Sequence, residues 1–186
     1  MREKMNEDIR QGIHLLFGLL LVGILVFFGR EKLLIFTLFS LIVAVILNLS
    51  TIIGFRNKEL HKTLSVAQRK TEKKSPFVGA MIFLVGVTIL TIFFQERQIL
   101  GGLIVLAVGD SFSTIIGKKF GKTKITDRHT FEGTIAGIGA SFIGLLFFFQ
   151  PITAILTATT GMASELLGLE DNITIPLVSA LTLLLL

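Results

Sequence analysis

The apolar residues of this chain are gathered into seven long blocks, roughly 12–29, 33–53, 77–94, 99–117, 133–149, 151–168 and 173–186. A water-soluble domain of 186 residues would distribute them as helical stripes or as strand alternation. Unbroken blocks of this length match helices that cross about 30 Å of hydrocarbon at roughly 1.5 Å per residue. The pattern therefore predicts an all-α, polytopic integral membrane protein of about seven transmembrane helices, forming one domain over 1–186. The last block is short, about 21 Å as a helix, and would need local thinning or a polar vestibule.

Charge fixes the expected orientation. With the N-terminus in the cytoplasm, the inside segments 1–11, 54–76, 118–132 and 169–172 hold 15 of the 18 basic residues. Only Arg30, Lys32 and Arg97 then fall outside, as the positive-inside rule requires. The formal net charge of +5 is thus assigned to the membrane surface and not to a nucleic acid. Gly12 to Gly29 has no small-residue cleavage site and is read as the first span. Loop 54–76 places Leu60, Leu64 and Ala67 at helical spacing, which suits either a helix on the headgroups or a solvated basic loop. The chain has no cysteine, so thiolate metal sites are excluded, and with only three widely spaced histidines a His-rich zinc site is not expected.

Chemistry concentrates between Gly102 and Gly144. Asp110 lies about 10 Å inside the fourth block, where a carboxylate costs about 3 kcal/mol and must face a protein interior or a hydrated cavity. Ser113, Thr114 and Gly117 follow it at helical spacing, giving a polar stripe that leads to a basic loop. That loop, Gly117-Lys118-Lys119-Phe120-Gly121-Lys122-Thr123-Lys124, misses the P-loop spacing by one residue and follows no strand, so a Walker A site is rejected. Its glycines, its lysines and Arg128 still suit phosphate groups. Glu132 opens the fifth block, with Asp127 or Thr130 as the candidate helix cap. Spacing of Gly133, Gly137, Ser141 and Gly144 on one face predicts close helix packing.

Glu165 ends the sixth block in line with Thr157 and Gly161, and Asp171-Asn172 form the turn that follows. Arg10 and His14 stand one turn apart at the mouth of the first span. All these groups fall on the cytoplasmic side. Several carboxylates beside many cations suit Mg²⁺ and a polyphosphate, because hard Mg²⁺ takes oxygen ligands and bridges phosphate oxygens.

These residues resemble a known family, the CTP-dependent lipid kinases, which include dolichol kinase, phytol kinase and CTP-dependent diacylglycerol kinase. The resemblance rests on Gly109-Asp110-Ser111-Phe112-Ser113 through Gly117-Lys118-Lys119-Phe120-Gly121-Lys122, and on Thr130-Phe131-Glu132-Gly133-Thr134, where His129 stands in the place of the family's Lys. The opening Arg10-Gln11-Gly12-Ile13-His14 and the close Asp171-Asn172-Ile173-Thr174-Ile175-Pro176 are similar to the family's two ends. Phosphatidate cytidylyltransferases share something like the centre and also use CTP, so a cytidylyltransferase making a CDP-lipid is the alternative. The Asp-Asn-Ile-Thr-Ile-Pro close favours the kinases.

The resemblance implies transfer of the γ-phosphoryl of CTP to the hydroxyl of a lipid alcohol, of polyprenol, phytol-like or diacylglycerol type. It implies Asp110 and Glu132 as Mg²⁺ or catalytic carboxylates, and Glu165 or Asp171 as groups that orient the acceptor or complete the metal site. Nucleotide contacts are expected from Ser113, Gly117, Lys118, Lys119, Gly121, Lys122, Lys124, Arg128 and Thr130, with Arg10, His14 and Asn172 as further candidates. A transporter would spread polar residues to the midplane or show inverted repeats, and neither is seen.

Overall fold

The computed structural model describes residues 2–53 and 77–186, and every regular element among them is helical. The segment around Leu60, Leu64 and Ala67, read either as a helix on the headgroups or as a solvated loop, lies outside the described residues. Among the described residues a helical segment lies over each of the seven apolar blocks.

The first two blocks form one helical run, α1 (Arg2–Ile52), that folds back on itself at Gly29. Gly29 adopts φ 78° and ψ 176°, a conformation that essentially only glycine accepts. On an unbroken helix Phe17 and Phe36 would lie about 28 Å apart. Their ring centroids are instead 6.3 Å apart, so the arms 2–28 and 30–52 are antiparallel neighbours. The corner is tied to α2 (Val78–Phe93). The Arg30 side chain donates from Nε to the Thr91 carbonyl at 2.8 Å and from Nη2 to the Ile92 carbonyl at 2.7 Å. It thus satisfies carbonyls that a helix end leaves without partners. The Arg30 backbone N–H donates to Glu96 Oε1 at 3.0 Å.

Glu96 starts α3 (Glu96–Phe120), the element around which the others pack. Ile99, Leu103, Ile104, Val105, Leu106 and Ala107 are all buried, on every side of this helix. Midway, Val105–Asp110 is wound as a π turn. Such single turns inside α-helices often mark functional positions. Three helices complete the bundle: α4 (Phe131–Leu145), α5 (Pro151–Ala163) with a 3₁₀ turn at Ser164–Leu167, and α6 (Asp171–Leu185). The expected small-residue face of α4 packs on α3. A Cβ on Gly133 would meet the Ser113 carbonyl, one on Gly137 the Gly109 carbonyl, and one on Gly144 Ile104. In α6, Pro176 has no N–H to bond the Asn172 carbonyl, which lies instead against Gly86 of α2.

Two runs, Asp8–Ser50 and Glu96–Phe120, are long and apolar enough to cross a membrane; the first of them contains the fold at Gly29. α2, α4 and α6 are shorter apolar helices. The outer surface of the bundle carries many large exposed apolar side chains, among them Leu16, Phe27, Phe39, Ile46, Phe147 and Leu185. The Gly29 corner with Arg30 and Glu96 marks one end of the bundle. At the other end are the α3–α4 loop, the 3₁₀ turn and the start of α6.

Replacing Gly29 with valine forces a β-branched residue into the glycine-only backbone region, at about 1–3 kcal/mol. Gly29→Val is therefore expected to lower the midpoint of thermal unfolding in detergent micelles. An unchanged midpoint would mean that the corner at Gly29 is not a stable feature of the fold.

Candidate functional site at the loop end of the bundle

The α3–α4 loop is a small hairpin with its own hydrogen bonds. Phe131 N–H donates to the Thr123 carbonyl at 2.9 Å, and the N–H groups of Ile125 and Thr126 both donate to the His129 carbonyl, at 3.0 and 3.2 Å. Thr126 Oγ1 accepts from the backbone of Arg128 and His129. Thr130, not Asp127, caps α4: its Oγ1 accepts from the Gly133 N–H at 3.2 Å.

Glu132, in the first turn of α4, reaches back to this loop. Its carboxylate accepts from the N–H groups of Lys122 at 3.1 Å and Thr123 at 3.2 Å. Backbone N–H groups, its own first and that of Lys122 next, hold the Glu132 carboxyl below the usual carboxylate range. The glycines of the loop meet the chain's own packing needs. A Cβ on Gly121 would run into the Gly117 carbonyl and the Thr130 side chain. Lys122, Lys124 and Arg128 are exposed on the outside of the hairpin. Lys119 pairs with Asp8 of α1 at 2.9 Å.

The carboxylates lie beneath this loop. Glu165, in the 3₁₀ turn after α5, is 1% exposed. Both its oxygens accept from Ser113 Oγ of α3, at 3.2 and 3.1 Å, and Oε1 also accepts from Thr134 Oγ1 of α4 at 2.5 Å. The His129 ring sits between two acids: Nδ1 is 3.5 Å from Glu165 Oε2 and Nε2 is 3.7 Å from Asp171 Oδ2. Asp171 Oδ1 is buried and has no hydrogen-bond partner among the described residues.

Asp110, at the end of the π turn, pairs with His14 of α1, whose Nε2 is 3.6 Å from Asp110 Oδ2 and 3.4 Å from the Leu106 carbonyl. The His14 ring is held edge-on by Phe83 of α2, at 4.9 Å between centroids. Next to Asp110, Ser111 Oγ donates to the Gln11 carbonyl at 3.4 Å, fixing the first arm against α3. Asp110, Glu165 and Asp171 lie within electrostatic reach of one another, and Arg128 within reach of Asp171.

The structure thus gathers Asp110, Ser113, Glu165, Asp171 and His14 at one end of the bundle, with Arg10 one turn before His14. Glu132 is held by the loop amides, and Asn172 meets α2 through its backbone. Lys118, Lys119, Lys122, Lys124 and Arg128 sit on or beside the loop. Two members of the cluster, His129 and Thr134, were not expected as site residues. Both lie in the His-Thr-Phe-Glu-Gly-Thr run, so position in that motif was the available signal. Among the described residues, no group of three or more His, Asp and Glu side chains is spaced to hold a metal ion by itself.

The chain is 27% identical over 184 residues to a protein of Methanocaldococcus jannaschii described as "Uncharacterized protein MJ1137", which covers 95% of this chain and 92% of that one. No family model and no solved structure matches the chain.

Two outcomes follow from this geometry. Thr134→Val leaves the shape but removes a donor to a buried carboxylate, and is expected to destabilise the protein by about 1–3 kcal/mol, whereas Thr134→Ser keeps the bond. Chemical unfolding in micelles checks this, and equal stability of the two variants would refute it. For Glu132 the folded carboxyl is the stronger acid, so its hold on the loop is complete above the ordinary carboxylate range and is lost as the pH falls through and below it. Protection of the Lys122 and Thr123 amides against hydrogen exchange should therefore fall between neutral pH and about pH 3.

Proposed function

We propose that this protein is an integral membrane lipid kinase that transfers the γ-phosphoryl group of CTP to the hydroxyl of a lipid alcohol. The observation that carries the proposal is the attachment of the basic loop to the acid cluster: His129 joins the hairpin bearing Lys122, Lys124 and Arg128 to Glu165 and Asp171. Phosphate-binding charge and carboxylates then share one mouth. The motif resemblance supplies the choice of CTP and of a lipid acceptor.

In this reading the helices cross the membrane seven times, counting the two arms of α1 separately, with the N-terminus and the acid cluster on the cytoplasmic side of the cell membrane. Support comes from the basic residues of the inside segments and from the exposed apolar surface, which lipid rather than water would solvate. Every backbone group in hydrocarbon must be satisfied internally, and a purely helical bundle does this.

The acid set suits Mg²⁺. A small hard cation bound by one or two carboxylates, with phosphate oxygens and water completing its shell, needs no cage of three protein ligands. Asp110 and Asp171, whose Oδ1 is buried and unpartnered, are the acids with capacity to hold it. The bound ion would neutralise charge on the phosphates. Glu132, expected as the second metal acid, acts instead by holding the loop amides.

The protein's own part is positioning and electrostatics. Lys118, Lys122, Lys124 and Arg128 bind the phosphates, while Ser113 and Thr134 keep Glu165 fixed. The acceptor O–H gives up its proton to a carboxylate of the acid cluster, its oxygen bonds to the γ-phosphorus, and the bond from that phosphorus to the bridging oxygen breaks to release CDP. A lipid alcohol reaches this mouth laterally from the bilayer.

Incubation with Mg²⁺, CTP labelled at the γ or the α phosphate, and a panel of polyprenols, phytol-like alcohols, diacylglycerol and phosphatidic acid tests the proposal. Label is expected in lipid from γ alone. Transfer from α alone would make the protein a cytidylyltransferase, and no transfer from either would remove the enzymatic reading. Asp110→Asn should lower kcat by about 100-fold or more, and full activity in this variant would remove Asp110 from the site.

A further inference from the structure

We infer that His129 is a positioning residue that latches the basic hairpin 121–130 onto Glu165 and Asp171, and so holds the cations of the loop over the acid cluster. The inference rests on the lipid-kinase reading only for its kinetic consequence; the latch itself follows from the geometry.

Between Lys122 and Arg128 the side chains are exposed, apart from Thr126, whose hydroxyl bonds within the loop. Those contacts shape the hairpin without attaching it to the bundle. Glu132 of α4 attaches its base through the Lys122 and Thr123 N–H groups, and His129 attaches it beyond that point. The imidazole is 12% exposed, and each ring nitrogen faces a carboxylate from a different part of the chain. One of them, Glu165, is immobilised from below by hydroxyls of α3 and α4. The other, Asp171, is the first residue of α6. At 3.5 and 3.7 Å these separations between ring nitrogen and carboxylate are longer than tight hydrogen bonds. They hold a hairpin in place without locking it. The ring also stands between two carboxylates that would repel each other across a direct contact.

The consequence for phosphate binding is indirect. Among the described residues no short contact joins the side chains of Lys122, Lys124 and Arg128 to Glu165 or Asp171, so their position over the mouth depends on where the hairpin sits. Arg128 is the immediate neighbour of the latch, and its charge is already felt at Asp171. Releasing His129 would free the outer part of the hairpin beyond Thr123, while Glu132 of α4 keeps its base at the Lys122 and Thr123 amides. The base would stay in place while the placement of Lys124 and Arg128 was lost.

Limited trypsin digestion of the full-length protein in nanodiscs, with cleavage after Lys122 and Lys124 followed by mass spectrometry, reads the latch without any assay of activity. His129→Ala is expected to raise that cleavage about tenfold, since cutting follows the population of the open loop. His129→Lys, which places an ammonium donor beside the acid pair, should stay within about twofold of the parent. Asp171→Asn, which removes one anchor, should give an intermediate rate. On CTP, His129→Ala should raise KM about tenfold with little change in kcat, and His129→Lys should restore it.

Parental cleavage rates in both His129→Ala and Asp171→Asn would overturn the latch. An opened loop with an unchanged KM would overturn its positioning role. If the parent protein transfers no phosphoryl group from CTP while His129→Ala opens the loop, the kinase reading falls and the latch stands.

Discussion

The structure depends on keeping the Glu165 carboxylate satisfied inside the bundle. A buried carboxylate without partners costs several kcal/mol, so the elements around it must supply donors or the fold does not hold. α3 supplies Ser113 and α4 supplies Thr134, with His129 of the intervening loop close by. Meeting that demand fixes α3, α4 and the end of α5 relative to one another. The small-residue face of α4 makes it possible, because Gly133 and Gly137 let the helix come near enough to α3 for a threonine hydroxyl to reach Glu165. Packing and polar satisfaction are therefore one arrangement, and the same arrangement defines the site.

The far end of the bundle is held by different means. Arg30 occupies the carbonyls at the end of α2, while its own N–H is taken by Glu96, so the corner of α1, the end of α2 and the start of α3 are joined without a long loop. With that end rigid, the two arms of α1 lie antiparallel and bring His14 back to the loop end, beside Asp110. Between the two ends the buried interior of α3 is apolar, and the outer surface of α1 is apolar as well. The carboxylates and the basic loop are left at the termini of the helices, where the proposed nucleotide and lipid alcohol would both arrive.

The basic loop shows how a motif and its geometry separate. Gly117-Lys118-Lys119-Phe120-Gly121-Lys122 invites comparison with a phosphate cradle, but Gly121 is required by the approach of Thr130 and the Gly117 carbonyl. The Lys122 and Thr123 N–H groups, which a cradle would offer to phosphate, are held by Glu132. What remains for an anion is side-chain charge on Lys122, Lys124 and Arg128, carried on a hairpin whose base is held by Glu132 and whose outer part is held by His129.

The sequence by itself determined the helical class, the seven apolar blocks and the identity of the acids, because block length and the rarity of carboxylates in apolar surroundings are local properties. It also marked the packing face of α4, since small residues at fixed helical spacing leave few other readings. The tertiary structure alone decided which charges meet. Glu132 and Asp110 belong to one motif region, yet one bonds loop amides and the other pairs with His14, some hundred residues earlier. His129 and Thr134 stood in the same run unassigned, since no spacing within it reveals that Glu165 and Asp171 close around them. The π turn at Val105–Asp110 was equally invisible, because a single π turn inside an apolar helix leaves no mark on the pattern of apolar residues. Contacts between residues remote in sequence depend on the closed bundle, and only the folded chain fixes them.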